Sequence, residues 1–292
     1  MIRVAELSND AVIDTSGLSQ DWFPVARPAD LDPGTRVRTH LLEAEILIER
    51  DASGALGART ADGRELAMRE RHGLLWVCAR ATHREAPEFP EAGDPAYRSI
   101  VCGPFGVSAA APRIIENFLD MAHFPYVHPN ILGNEPHTEV RDYHIEEAPG
   151  EGGLIASDCL FWQPQTQILA HGGSLVNYTY RVPRPLVAIL AKLPQAAGSH
   201  GVAILLAVQP ASQERSIAWM VFCTTNREPG DAAVRANQDR VFLQDKPILE
   251  NQTPVRLPLG ARSEAPLRCD RLSIAYRRYL DRSGVRYGVI PL

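Results

Sequence analysis

"ENFLDMAHFPYVH", residues 116–128, sets an asparagine, an aspartate and two histidines at spacings of three, three and five, with a proline between the histidines. A helix from Arg113 to about Phe124 would stack Asn117, Asp120 and His123 on one side, because residues three apart share a helical face. His128 breaks the series. Five residues at ~100° each put it about 140° round from His123 on a straight helix, too far to share a small ion. Pro125 changes that geometry: it disfavours helical backbone at Phe124 and kinks or ends the helix, so the chain can swing His128 back.

Two neutral imidazoles call for a third ligand, and two histidines with one carboxylate on a face that keeps open positions suit non-haem Fe(II). The acid should come from another rigid element. In "NQDRVFLQDKPILENQ", residues 237–252, Asp245 shares a helical stripe with Gln238, Phe242 and Leu249, so it points where apolar residues point. A carboxylate aimed at a core needs a partner, and iron would be one. Asp239, about 100° off that stripe from Gln238, is the weaker candidate. Gln238 and Phe242 could both face a substrate, the amide as a hydrogen-bonding group and the aromatic ring as a stacking surface. Core packing for Phe242 and a solvated amide for Gln238 are the alternatives. Spacing alone leaves metal binding open too, since a histidine on an apolar helix face is commonly a satisfied core residue.

The rest of the chain bounds the answer. Its 292 residues allow one large domain or two modest ones, and a net charge of −5 offers no basic field for nucleic acid. Five cysteines lie far apart with no CxxC or CxH pair, so no disulfide framework is expected. No apolar run approaches the length of a membrane span, and the first twenty residues lack the apolar core of a signal peptide, so a cytoplasmic protein is expected.

Runs rich in β formers at 36–51 and 65–81 flank the glycine-rich "ASGALGARTADGR" (52–64) and predict a small β-domain over 18–95. Its tail, "THREAPEFPEAGDP" (82–95), has the composition of a linker. A second domain over 96–292 should hold strands near 154–163, 174–182, 201–209 and 215–224, the last two joined as a hairpin through "ASQE". It should also hold a helix from Asp231 to about Glu250, weakened by Pro247, and a short helix at 270–281 closed by Gly284. The paired Arg277 and Arg278 suggest a solvated helix face. Antiparallel sheet plus long helices makes an α+β fold. His72, His83, His137 and His144 are expected to be surface or structural.

"ENFLDMAHFPYVH" resembles the iron-binding segment of the Rieske non-haem iron oxygenases, Asn-x-x-Asp-x-x-His-x-x-x-x-His, and "FLQDKPILENQ" resembles the later segment that supplies their carboxylate. The likeness runs in order from "DWFPVARPADLDPG" (21–34) to "LSIAYRRYLDRSGV" (272–285). It implies a helix-grip catalytic domain in which His123, His128 and Asp245 hold a mononuclear Fe(II). It also implies that Asp120 bridges electron donor and ligands, and that Asn117 sits beside the iron.

One departure is plain. The family normally bears an N-terminal 2Fe-2S cluster on C-x-H and C-x-x-H pairs, whereas "SGALGARTADGRELAM" (53–68) has neither cysteine nor histidine. The resemblance therefore implies a Rieske-like β-domain without its cluster. Electrons would come from NAD(P)H through a partner that carries the cluster, either a reductase or another Rieske oxygenase subunit, in a trimer or hetero-oligomer. The implied reaction with O₂ is hydroxylation of a methyl group: N-demethylation of a methylxanthine-like N-methyl heterocycle, with release of formaldehyde. O-demethylation or ring hydroxylation of an aromatic compound, or a non-catalytic subunit, are the alternatives.

Overall fold

"GVAILLAVQP" and "RSIAWMVFCT" are apolar at nearly every position, and strands of that kind need cover on both faces. The fold supplies both. In the computed structural model, which describes residues 14–148, 153–166, 172–192, 200–260 and 263–292, these runs are β12 (Val202–Pro210) and β13 (Ser216–Thr224). They pair antiparallel from Val202↔Thr224 to Pro210↔Ser216, the expected hairpin. Around them a sheet takes the order β7-β13-β12-β11-β10-β9-β8. The other strands are β7 (Arg98–Val107), β8 (His144–Glu147), β9 (Leu154–Gln163), β10 (Ser174–Arg184) and β11 (Val187–Lys192).

The front of the sheet faces three helices: α2 (Ala111–Leu119), α4 (Asp231–Glu250) and α5 (Arg271–Arg282). Leu206, Met220 and Phe222 join the core on this side with Ile114, Phe242 and Tyr276. The alternate residues Ala203, Leu205, Trp219 and Val221 point backwards into a second cluster with Trp22, Leu74, Trp76 and Phe89. The back is thus covered by the N-terminal strands: β1 (Trp22–Ala26), β5 (Ala67–Arg71) and β6 (Leu74–Cys78) form one three-stranded sheet. A second three-stranded sheet is β2 (Arg36–Leu41), β3 (Ala44–Arg50) and β4 (Leu56–Thr60), whose buried Leu41, Ile46, Ile48 and Ala58 join the first core cluster instead. A short parallel pair, β14 (Leu257–Pro258) and β15 (Val289–Ile290), ties down the C-terminus. The class is α+β, as the pattern predicts. No described helix is long and apolar enough to cross a membrane.

Three local expectations need correcting, and one run gains detail. The run 36–51 is a hairpin, turning at Leu42 and Glu43 with φ of 51° and 70°. Two-residue hairpin loops want positive φ, which side chains other than glycine resist. Here the tip is held from outside, because Leu42 N–H donates to Pro210 O (2.8 Å) and Glu43 N–H to Ala211 O (3.1 Å). The glycine-rich 52–64 is partly strand, since β4 lies within it, and Arg64 N–H closes its tight turn on Thr60 Oγ1. The segment 82–95 is a packed strap rather than an open linker: it contains the single-turn α1 (Pro90–Gly93), and Ala86 and Phe89 are buried against the back of the large sheet. Helix α4 runs from Asp231 to Glu250 as expected, with Pro247 inside it.

The third correction concerns Arg277. Unlike Arg278, which is exposed, Arg277 reaches into the α2/α5 interface with its side chain only 12% exposed. It donates to both oxygens of Glu116 (2.6 and 3.0 Å) and to Glu264, while Arg113 donates to Glu264 (2.8 Å) from the far side. Burial pushes the Glu116 carboxyl up, and the Arg277 guanidinium opposes it. Removing one member strands a buried charge. Arg277→Ala should therefore lose about 3 kcal/mol or more in urea unfolding, whereas Arg278→Ala should stay within about 0.5 kcal/mol of the parent.

Candidate active site

The residues around Asp120 set the site's geometry through a local turn. Helix α2 stops at Leu119, and Asp120 leaves it in extended conformation (φ −81°, ψ 130°). The aspartate makes its own stop: its Oδ1 accepts Ala122 N–H at 2.8 Å, a side-chain turn that competes with the next helical bond. Asn117, Asp120 and His123 therefore do not stack on one continuous helix, as their spacing predicts. Asp120 still meets His123, with Oδ2 3.1 Å from Nδ1, across that turn. Pro125 has a different task from the one expected. It sits at the start of the short helix α3 (Phe124–Val127), where its missing N–H costs no hydrogen bond. That single turn carries the chain from His123 to a buried His128. The loop beyond folds back so tightly that a Cβ on Gly133 would lie 2.6 Å from Pro125 N.

The carboxylate comes from α4. Gln238, Phe242 and Leu249 are buried along one stripe, and Asp245 lies on it facing the two histidines. His123, His128 and Asp245 offer ligand atoms within 4.8 Å of one another, a group that could hold a metal ion. Asp239 is not part of it.

Proton positions test whether a cation fits. His123 Nδ1 faces Asp120 Oδ2, and His128 Nδ1 lies 2.9 Å from Gln244 Oε1. Both oxygens are acceptors, so each Nδ1 carries the proton and each Nε2 presents a lone pair. The two Nε2 atoms are 3.2 Å apart, and Asp245 Oδ1 lies 3.4 and 3.1 Å from them. That oxygen is buried and has no donor. The close N···O distances are therefore contacts between acceptors rather than ion pairs. Three lone pairs converging on one point repel unless a cation lies between them, and two imidazoles with one carboxylate suit Fe(II).

Above this face opens a cavity of about 160 Å³ between the front of the sheet and helices α2 and α4. Asn117, Gln238 and Phe242 line it, together with all three candidate ligands. Phe242 stacks on Phe105 of β7 (centroids 4.2 Å apart, planes at 16°), so core packing and cavity lining both apply to it. Asp120 is not among the lining residues; it stands behind His123 with its side chain 28% exposed. Sequence reasoning missed Gln244, whose position beside Asp245 was the available signal, and Lys192, which lines the cavity from the end of β11. His137 stacks on Trp162 (4.3 Å) and His72 hydrogen-bonds Pro87 O, both structural roles.

Residues 107–285 match the family model described as the vanillate O-demethylase oxygenase C-terminal domain. The chain is also 39% identical over 276 residues to a probable methylxanthine N7-demethylase, NdmC, of Pseudomonas sp. (strain TJI-51), covering 94% of this chain and 98% of that one. It belongs to the Rieske non-haem iron oxygenase family. Its fold is similar to that of Pseudomonas putida CBB5 NdmA with caffeine (TM-score 0.74, 20% identity, 91% and 90% of the two chains). It is likewise similar to dicamba monooxygenase bound to dicamba (TM-score 0.70, 16% identity, 92% and 98%). This oxygenase is thus an oxidoreductase of the monooxygenase type, and its family implies non-haem iron.

The convergence of acceptors yields a test on the metal-free protein. Asp245→Asn puts amide donors among the lone pairs, so with chelator present it should melt about 2–4 °C above the parent. Anaerobic Fe(II) should then raise the melting temperature of the parent and leave the variant unmoved. A variant that melts below the parent in chelator would remove the argument from proton positions.

Proposed function

We propose that this oxygenase hydroxylates an N-methyl group of a methylxanthine-like heterocycle, using O₂ and electrons from a separate Rieske-bearing partner. The observation that carries the reading is the 39% identity to the probable methylxanthine N7-demethylase across nearly the whole of both chains. The hydroxylated methyl is a carbinolamine, which breaks its C–N bond to give the demethylated amine and formaldehyde.

His123, His128 and Asp245 would hold the iron, which would supply O₂ activation beside the bound substrate. The chain's own residues do the rest. Asp120 and Gln244 hold the imidazoles in the tautomer that turns both Nε2 lone pairs inward. The sheet floor, from Ile204 and Leu206 to Phe222, excludes water from the reacting methyl. Asn117 and Gln238 offer amides to the carbonyls of an oxopurine, and Phe242 offers an aromatic surface on the same wall.

Asp120 suits electron entry because it touches His123 and is still reachable from solvent. A partner docked over it could pass charge through one hydrogen-bonded carboxylate. The strands over 18–95 would then be the remnant of a cluster domain, kept without its cluster loops.

The test uses Asp120→Asn, which keeps size and one acceptor but removes charge. Iron content and substrate binding should persist, while formaldehyde production with NAD(P)H and the Rieske-bearing reductase falls at least ~100-fold. Hydrogen peroxide delivers oxygen and electrons together, so peroxide-driven product should fall far less. Equal loss by both routes would assign Asp120 to the iron site alone.

A further inference from the structure

Of thirty basic residues only two are lysine, Lys192 and Lys246. Lys246 belongs to α4 and pairs with Glu250 at 3.8 Å. Lys192 is the last residue of β11, 9% exposed, and lines the active cavity. Its ammonium donates to the Thr166 carbonyl oxygen, and no carboxylate pairs with it among the described residues.

Strand register fixes where this cation stands. Lys192 pairs with Val202, which pairs with Thr224; the preceding row on the same face is Leu190, Ile204 and Phe222. The cavity floor therefore changes from apolar to polar within one row, about 7 Å along the strands. Thr224 and the buried Asn226 stand on the polar side with Lys192. The other titratable lining groups are Tyr178, His123, His128 and Asp245, and Asp245, the sole lining carboxylate among the described residues, is turned to the imidazoles.

A buried cation without a counter-ion is costly. Burial alone pulls this ammonium down to about 8, with no neighbouring charge restoring it. An arginine, which this chain uses nearly everywhere else, would keep its charge in so buried a setting; a lysine can yield it and recover it against an anion.

We propose that Lys192 determines specificity by donating to an acidic oxygen on the substrate ring, the carbonyl oxygen of an imide whose N–H is unsubstituted. Such an N–H is weakly acidic, and when it shares or loses its proton the charge moves to the adjacent oxygen. Alkylating the nitrogen abolishes that acidity. The inference rests on the methylxanthine reading and deepens it: among N-methyl oxopurines, those with free imide nitrogens are favoured over fully methylated ones. A carboxylate on an aromatic acid would present the same chemistry to Lys192.

The experiment is anaerobic calorimetric titration of the full, iron-loaded chain with three probes: 7-methylxanthine, caffeine and 3-methoxybenzoate. Parent and Lys192→Met are compared, and thermal melting confirms that the variant folds. A hydrogen bond to a charged group is worth about tenfold to hundredfold in affinity. Lys192→Met should weaken 7-methylxanthine by about that factor and leave caffeine within about twofold. Equal weakening of both xanthines, or no weakening of either, overturns the role of Lys192 and leaves the methylxanthine reading standing. If no xanthine binds the parent, that reading falls instead. Lysine-dependent binding of 3-methoxybenzoate would then keep the acidic-oxygen role and move it to a carboxylate, and lysine-independent binding or none would end both.

Discussion

Two central strands that are apolar on both faces impose the main constraint on this molecule. β12 and β13 cannot leave either side to water, so the fold must place a layer in front and another behind. The front layer is α2, α4 and α5, and those helices bring Asn117, Gln238, Phe242 and Asp245 to the floor that the sheet provides. The back layer is the N-terminal strands with the Phe89 strap. That division gives the N-terminal strands a structural task of their own. Trp22, Trp76 and Phe89 cover Trp219 and Val221, and deleting them would expose the back of the large sheet.

Within the front layer, the site depends on where protons cannot be. Asp120 and Gln244 each fix a proton on the outer nitrogen of an imidazole, and the inner nitrogens and Asp245 are left as acceptors facing one another. The arrangement is destabilising for the metal-free protein and favourable with a cation between them. Asp120 both ends α2 and orients His123, so a change there alters backbone and imidazole together. Asparagine is the milder substitution, because it can still accept the Ala122 N–H.

Much of this was legible in the sequence because it depends on local pattern. The continuous apolar runs gave the central hairpin, the stripe through Gln238, Phe242, Asp245 and Leu249 gave the buried face of α4, and the histidine motif gave the two imidazoles that meet at the candidate site. What stayed hidden depends on partners far along the chain. Nothing near Arg277 reveals that Glu116 will lie beside it, so its charge read as solvated. The turn at Leu42 and Glu43 lacks glycine and asparagine, and only carbonyls from Pro210 and Ala211 make it tenable. The end of α2 was misread for a subtler reason: a side chain of Asp120 competing with the backbone leaves no trace in apolar periodicity. Gln244 and Lys192 are single polar residues whose meaning appears only when the cavity closes around them.

The tryptophans carry a practical consequence. Three of the four, Trp22, Trp76 and Trp219, belong to the cluster behind the sheet, and Trp162 is stacked under His137. None lines the cavity on the front. Intrinsic fluorescence of this oxygenase is therefore chiefly an optical gauge of whether the N-terminal layer is seated on the sheet. Emission that shifts to the red while ligand still binds would reveal a catalytic layer outlasting its own backing.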